Sequence, residues 1–110
     1  MIIETRFFPF NGGITISESL IIVKAGHKTE ALVAHEMCHQ KQMSELGAFG
    51  FVKFWFKYLT SKDFKKKVEV EAYKVSIANG QSIESCAKHL SGPLYKLGIT
   101  YQQALDLLKA

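Results

Sequence analysis

The chain has 110 residues, 47% of them hydrophobic and 22% charged, and carries a formal net charge of +4 with an isoelectric point near 9.1. That length predicts one domain, residues 1–110, with a single modest core, and the composition excludes both a disordered tail and an integral membrane protein. The positive balance comes mostly from lysines and suits an acidic partner such as nucleic acid, anionic lipid or an acidic peptide, although a solvated lysine-rich surface is the simpler account.

Met1-Ile-Ile-Glu-Thr-Arg6 lacks the basic start, apolar run and small-residue cleavage site of a secretory leader, so the expected compartment is the cytosol. Residues 2–8, 14–16 and 20–24 are rich in Ile, Val, Thr and Phe and predict strands. Pro9-Phe-Asn-Gly-Gly13 is a turn signal between the first two, and the expected product is a small antiparallel meander. From Thr29 the pattern turns helical. Thr29 is a plausible N-cap for a helix to about residue 45, stopped by Gly47. A second helix is expected over 49–59, and Ser61 can cap a third over 62–78 that Asn79-Gly80 ends. A short helix to about residue 90 follows Gln81-Ser82, Ser91-Gly92-Pro93 breaks it, and Thr100-Tyr-Gln-Gln103 fits a capping box for the last helix. The expected class is therefore α+β, a small sheet followed by about five helices.

The apolar stretch over 46–59 holds Lys53 and Lys57 and is shorter than a bilayer requires, so no transmembrane segment is expected. As a helix it should pack its aromatics over the preceding one. The sharper alternatives are a membrane-surface helix or a single-stranded nucleic-acid contact, the latter without any base-reading motif in support. Cys38 and Cys86 are too few for a disulfide framework and are expected as reduced packing residues.

The chemistry-bearing residues are His35-Glu36-Met37-Cys38-His39, an H-E-x-x-H pattern inside the first helical run. Residues four apart on a helix are rotated by only about 40°, so both imidazoles leave one face and can share a zinc ion, while Glu36, about 100° from His35, reaches the same side. A catalytic zinc takes a third protein ligand and keeps one position for water. Glu45, six residues after His39, has a suitable side chain, but Gln42 stands where a turn-forming glycine would be needed, so the continuing helix carries Glu45 away. Val68-Glu69-Val-Glu-Ala72-Tyr73 offers two further candidates. Phe64, Val68, Ala72, Val75 and Ala78 form an apolar stripe with Glu71 in its middle and Glu69 at one side, and a buried carboxylate in such a stripe demands a partner. His27 and His89 have no partner at ligand spacing, and surface or capping roles are expected for both.

With that pair of motifs the chain resembles the gluzincin metallopeptidases, which couple H-E-x-x-H on one helix to a glutamate on a later one. The resemblance covers about residues 29–78 and extends to the minigluzincins, of about this size, and to small phage and bacterial single-domain proteins. It implies a zincin-like fold, one zinc ion held by His35, His39 and Glu69, and Ala72 as the small residue that lets the two helices approach. It also implies Glu36 as general base in peptide hydrolysis. Tyr73 stands where an aspartate is common and could orient a ligand or donate to the substrate oxyanion, with Tyr95 and Tyr101 as lesser candidates. A peptide or protein substrate would add to an edge strand, either residues 13–16 or 20–24. The alternative reading is an inactive, metal-stabilised module that contacts a protein, nucleic-acid or membrane partner through its basic aromatic helix.

Overall fold

A computed structural model describes residues 1–7, 12–26 and 28–110 and places three strands ahead of five helices, the α+β arrangement that the change of periodicity near Thr29 predicts. Strands β1 (Ile2–Thr5), β2 (Gly13–Ser17) and β3 (Leu20–Lys24) form one sheet in the order β1-β3-β2. β2 and β3 pair antiparallel as a hairpin, with Ile14 opposite Ile22 and a bulge between Thr15 and Ser17. β1 runs parallel to β3, with Ile2 opposite Ile21, so the sheet is mixed and not the antiparallel meander expected. Side-chain alternation specifies which face of a strand is buried and carries no information on the direction of its neighbour. The expected turn over 9–13, the end of the first strand at Phe8 and His27 fall wholly or partly outside the described residues.

The helices are α1 (Glu30–Glu45), α2 (Gly50–Thr60), α3 (Lys62–Ala78), α4 (Ile83–Leu90) and α5 (Tyr101–Lys109). Four of them start where a hydroxyl can take an otherwise unpaired backbone N–H: Thr29, Ser61, Ser82 and Thr100 accept from Leu32, Phe64, Ser85 and Gln103. Such a cap is worth about 1 kcal/mol. At Thr100 the Gln103 side chain reciprocates and completes the capping box. α2 starts differently, at Phe49 with φ 57, a left-handed conformation unusual for a bulky residue. Gly50 follows because α2 begins against the end of α1, where a Cβ would lie 1.9 Å from the Met43 carbonyl oxygen.

α1 and α3 pack antiparallel, since Ser76 bonds to the carbonyl of Ala31 at one end of the seam and Gln42 to that of Val68 at the other. Ala72, fully buried, lies on the face of α3 turned to this seam. Phe54 of α2 closes one end with Met43 and Val68, and the C-terminal helices build a second cluster from Tyr73, Cys86, Ala87, Leu90, Leu97, Ala104 and Leu108. Both cysteines are free, Cys86 within that cluster and Cys38 on the α1–α3 seam near Glu71. Only one side of α2 packs inward as expected. Phe49, Val52, Phe56 and Leu59 are 75%, 53%, 69% and 76% exposed. Among the described residues no helix is long and apolar enough to cross a membrane.

Candidate metal centre

One turn apart on α1, His35 and His39 bring their ring centroids within 4.9 Å of each other, and Glu69 reaches both from α3. Its Oε1 lies 3.2 Å from His35 Nε2 and 3.1 Å from His39 Nε2. One ligand atom from each of the three lies within 4.8 Å of the others, and all three residues are buried, so the group can hold a metal ion. Glu71 lies on the exposed side of α3 with an oxygen 3.9 Å from Cys38 Sγ, and Glu45 is exposed at the end of α1. Neither joins the histidines.

The outer nitrogens fix the chemistry of the inner ones. His39 Nδ1 is 2.7 Å from Gln42 Oε1, an acceptor whose orientation is set by Gln42 Nε2 donating to the Val68 carbonyl at 3.1 Å, so Nδ1 carries the proton. Ser76 Oγ donates to the Ala31 carbonyl at 3.3 Å and is therefore the acceptor for His35 Nδ1 at 3.2 Å. In both neutral rings the Nε2 lone pair then points at the same carboxylate oxygen. Lone pairs facing a carboxylate repel unless a cation lies among them or a proton sits on one ring, so the donor set suits a divalent ion bound by imidazole and carboxylate.

Without metal, the proton takes that role. Burial alone would lower the pKa of His39, but the Glu69 charge and hydrogen bond, helped by Glu36 and Gln42, push it up to about 9. Burial alone would raise Glu69, and the charge and hydrogen bond of His39, with a smaller contribution from His35, hold it instead well below the usual carboxylate range. Tyr58 of α2 donates to Glu69 Oε2 at 2.5 Å, which leaves Oε1 to the histidines.

Glu36 is 4% exposed, and its Oε2 is a buried oxygen without a hydrogen-bond partner. Burial raises its pKa, with Glu69 adding to the rise and His39 and His35 opposing it. β2 passes directly over this residue. Thr15 Oγ1 donates to the Glu36 carbonyl at 2.8 Å, and a Cβ on Gly13 would come within 3.6 Å of Glu36 Cγ and 3.0 Å of the Ile22 carbonyl. β2 is an edge strand and β3 the central one, so residues 20–24 have no free edge to offer a peptide. Trp55 Nε1 and Gln40 Nε2 already donate to the carbonyls of Ile16 and Ser17, so the C-terminal end of β2 is taken, and within residues 13–15 Thr15 is buried against α1.

The Tyr73 ring meets His35 edge-on with centroids 4.4 Å apart, and its hydroxyl is 2.7 Å from that of Tyr95. Burial raises the pKa of both phenols and keeps them neutral. Tyr101 is exposed at the first position of α5, and His89 is exposed at the end of α4, 6.4 Å from the Tyr73 ring. Sequence reasoning missed Tyr58, Ser76 and Gln42. Their polar atoms meet the site only through the crossing of helices, and the one available signal was a serine interrupting the inward face of α3. No protein-family model, curated protein or solved structure matches the chain.

Proposed function

We propose that this chain is a zinc-dependent peptidase of the gluzincin kind that works in the cytosol, with His35, His39 and Glu69 as ligands and Glu36 as general base. The observation that carries this reading is a buried carboxylate oxygen, Glu36 Oε2, left without a partner beside three converging donor atoms. A structural zinc site closes with four protein ligands and has no use for such a group, whereas a catalytic one has three and keeps a base nearby. Two unpaired cysteines suit a reducing compartment.

Zinc bound there would supply Lewis acidity and bring the pKa of a held water towards ~7. Glu36 accepts a proton and returns it to the leaving amine, and burial, which raises its pKa, strengthens its hold on that proton. Tyr73 and Tyr95 share one hydrogen bond between two hydroxyls, so the pair retains a second proton to donate to a developing oxyanion. Residues 13–15 of β2 supply backbone groups along which an extended peptide can add as a further strand, over Glu36. One observation favours a metal-stabilised binding module instead, namely the uncovered apolar side of α2.

Elemental analysis and a peptide-library cleavage assay test this together. Wild type, Glu36→Gln and Glu71→Gln should each carry about one zinc per chain, and His35→Ala and Glu69→Gln little or none. Cleavage should fall by at least about a hundredfold in Glu36→Gln with its metal retained. A wild type that takes up no zinc at neutral pH would sink the enzyme reading, and a zinc-loaded wild type that cleaves nothing would favour the binding module.

A further inference from the structure

Val52, Phe56 and Leu59 recur at intervals of four and three residues, so they fall on one line along α2, about 10 Å long, with Phe49, the left-handed residue ahead of the helix, exposed as well. The opposite face of the helix is the one that packs, with Gly50 and Phe54 buried and Tyr58 reaching Glu69. Lys53 and Lys57 flank the stripe on one side, and α2 contains no acidic residue. The charge of the whole chain is concentrated here. Residues 46–67 hold six lysines and one aspartate, whereas all other positions together hold eight basic and nine acidic side chains. The entire positive excess therefore lies in α2, with two of those six lysines, and the opening of α3, with the other four.

We propose that α2 is a membrane-surface helix, which lays Phe49, Val52, Phe56 and Leu59 into the interface of an anionic bilayer while Lys53 and Lys57 meet lipid phosphates. An apolar stripe bordered by lysines, on a helix too short to cross, matches the requirements of interfacial binding. Anionic headgroups complement the charge, worth about fivefold in affinity for each lysine near the surface. A second copy of the chain is a poor occupant, because two such segments face to face would set like charges against each other. Lys65, tied to the Tyr95 carbonyl in a half-buried bond, supports the fold and is left out of the lipid contact, whereas Lys53 donates to the Leu46 carbonyl at the exposed surface and Lys57 lies over the Phe64 ring, contacts that a lipid phosphate would replace. The proposal does not depend on what the metal centre does.

The test is co-sedimentation of the purified chain with phosphatidylcholine vesicles, with and without phosphatidylserine, at low and high salt. Binding is expected only with phosphatidylserine, with weakening by salt and a blue shift in the emission of Trp55, the single tryptophan. Phe56→Ser with Leu59→Ser should lose at least about tenfold in affinity, since both side chains would otherwise be buried in the interface. Lys53→Glu with Lys57→Glu should lose more than about tenfold. Lys88→Glu, an equal charge change per site at an exposed position of α4, should bind nearly as wild type. Thermal unfolding of the stripe variants should match wild type, because the replaced side chains touch little of the fold. Equal binding to neutral vesicles, no binding to either, or full binding by the stripe variants would overturn the proposal. So would a concentration-dependent dimer, or retention of an oligonucleotide, that the stripe variants abolish in place of lipid binding.

Discussion

Tyr58 decides how Glu69 presents itself, because its hydroxyl occupies one carboxylate oxygen and leaves the other for the two histidines. Tyr58→Phe should weaken zinc binding by about 10- to 100-fold, the usual cost of losing a partner that orients a ligand, as read in a competition titration against a chelator. His39 makes the metal-free protein sensitive to alkali. Its pKa rises from an ordinary 6.5 to about 9 in the folded state, so the stability it contributes is fully present below about 6.5 and lost as pH climbs through about 9. Urea unfolding across that window should show a decline in metal-free wild type that His39→Gln lacks, and zinc should flatten it by taking the place of the proton. Glu69 behaves in the opposite sense. Its depressed pKa gives stability that is present above the ordinary carboxylate range and lost in strong acid. The H-E-x-x-H residues were legible because their spacing is local to one helix. The choice between Glu69 and Glu71 was not, since the wheel was phased on apolar residues alone. The inward face of α3 is in fact Val68, Glu69, Ala72, Tyr73 and Ser76, two of them polar because they serve the histidines.

At the scale of elements, the sheet and α1 are joined at the motif itself. Thr15 holds the backbone of Glu36, so β2 and the proposed base move as one unit. Thr15→Val keeps the shape and removes the donor, and should cost about 1 kcal/mol in chemical unfolding, with a larger proportional loss of cleavage than of zinc binding. Gly50→Ala should cost about 3 kcal/mol or more, since its methyl group would collide with the Met43 carbonyl and force α2 off the end of α1. Loss of the Tyr58 contact to Glu69 should follow. The helices were readable from caps and periodicity, down to the Thr100 box. The parallel placement of β1 was not, because nothing in a four-residue strand records the direction of its partner. The half-packed state of α2 was equally hidden. Its apolar residues run nearly all the way round the helix, and only the positions of α1 and α3 determine which of them find cover.

At the scale of the molecule, the described residues build two apolar clusters, and the three candidate ligands lie at the seam of α1 and α3 between them. A metal bound only by the folded chain should raise the unfolding midpoint with concentration, by about 4 kcal/mol at a thousandfold excess over its dissociation constant. Leu90→Ala, far along the chain from any ligand, should cost about 2–5 kcal/mol as a fully buried leucine. Tyr73 belongs to both neighbourhoods, with its ring against His35 and its side chain packed among Leu90, Leu97 and Leu108. That double membership orders events during synthesis on the ribosome. His35, His39 and Glu69 leave the exit tunnel while α4 and α5 are still inside it or being made, so a nascent chain presents all three candidate ligands before the wall behind Tyr73 can dock. Metal capture can then precede completion of the tyrosine backing, and a chain loaded early would gain its supported His35 only after the last helix docks.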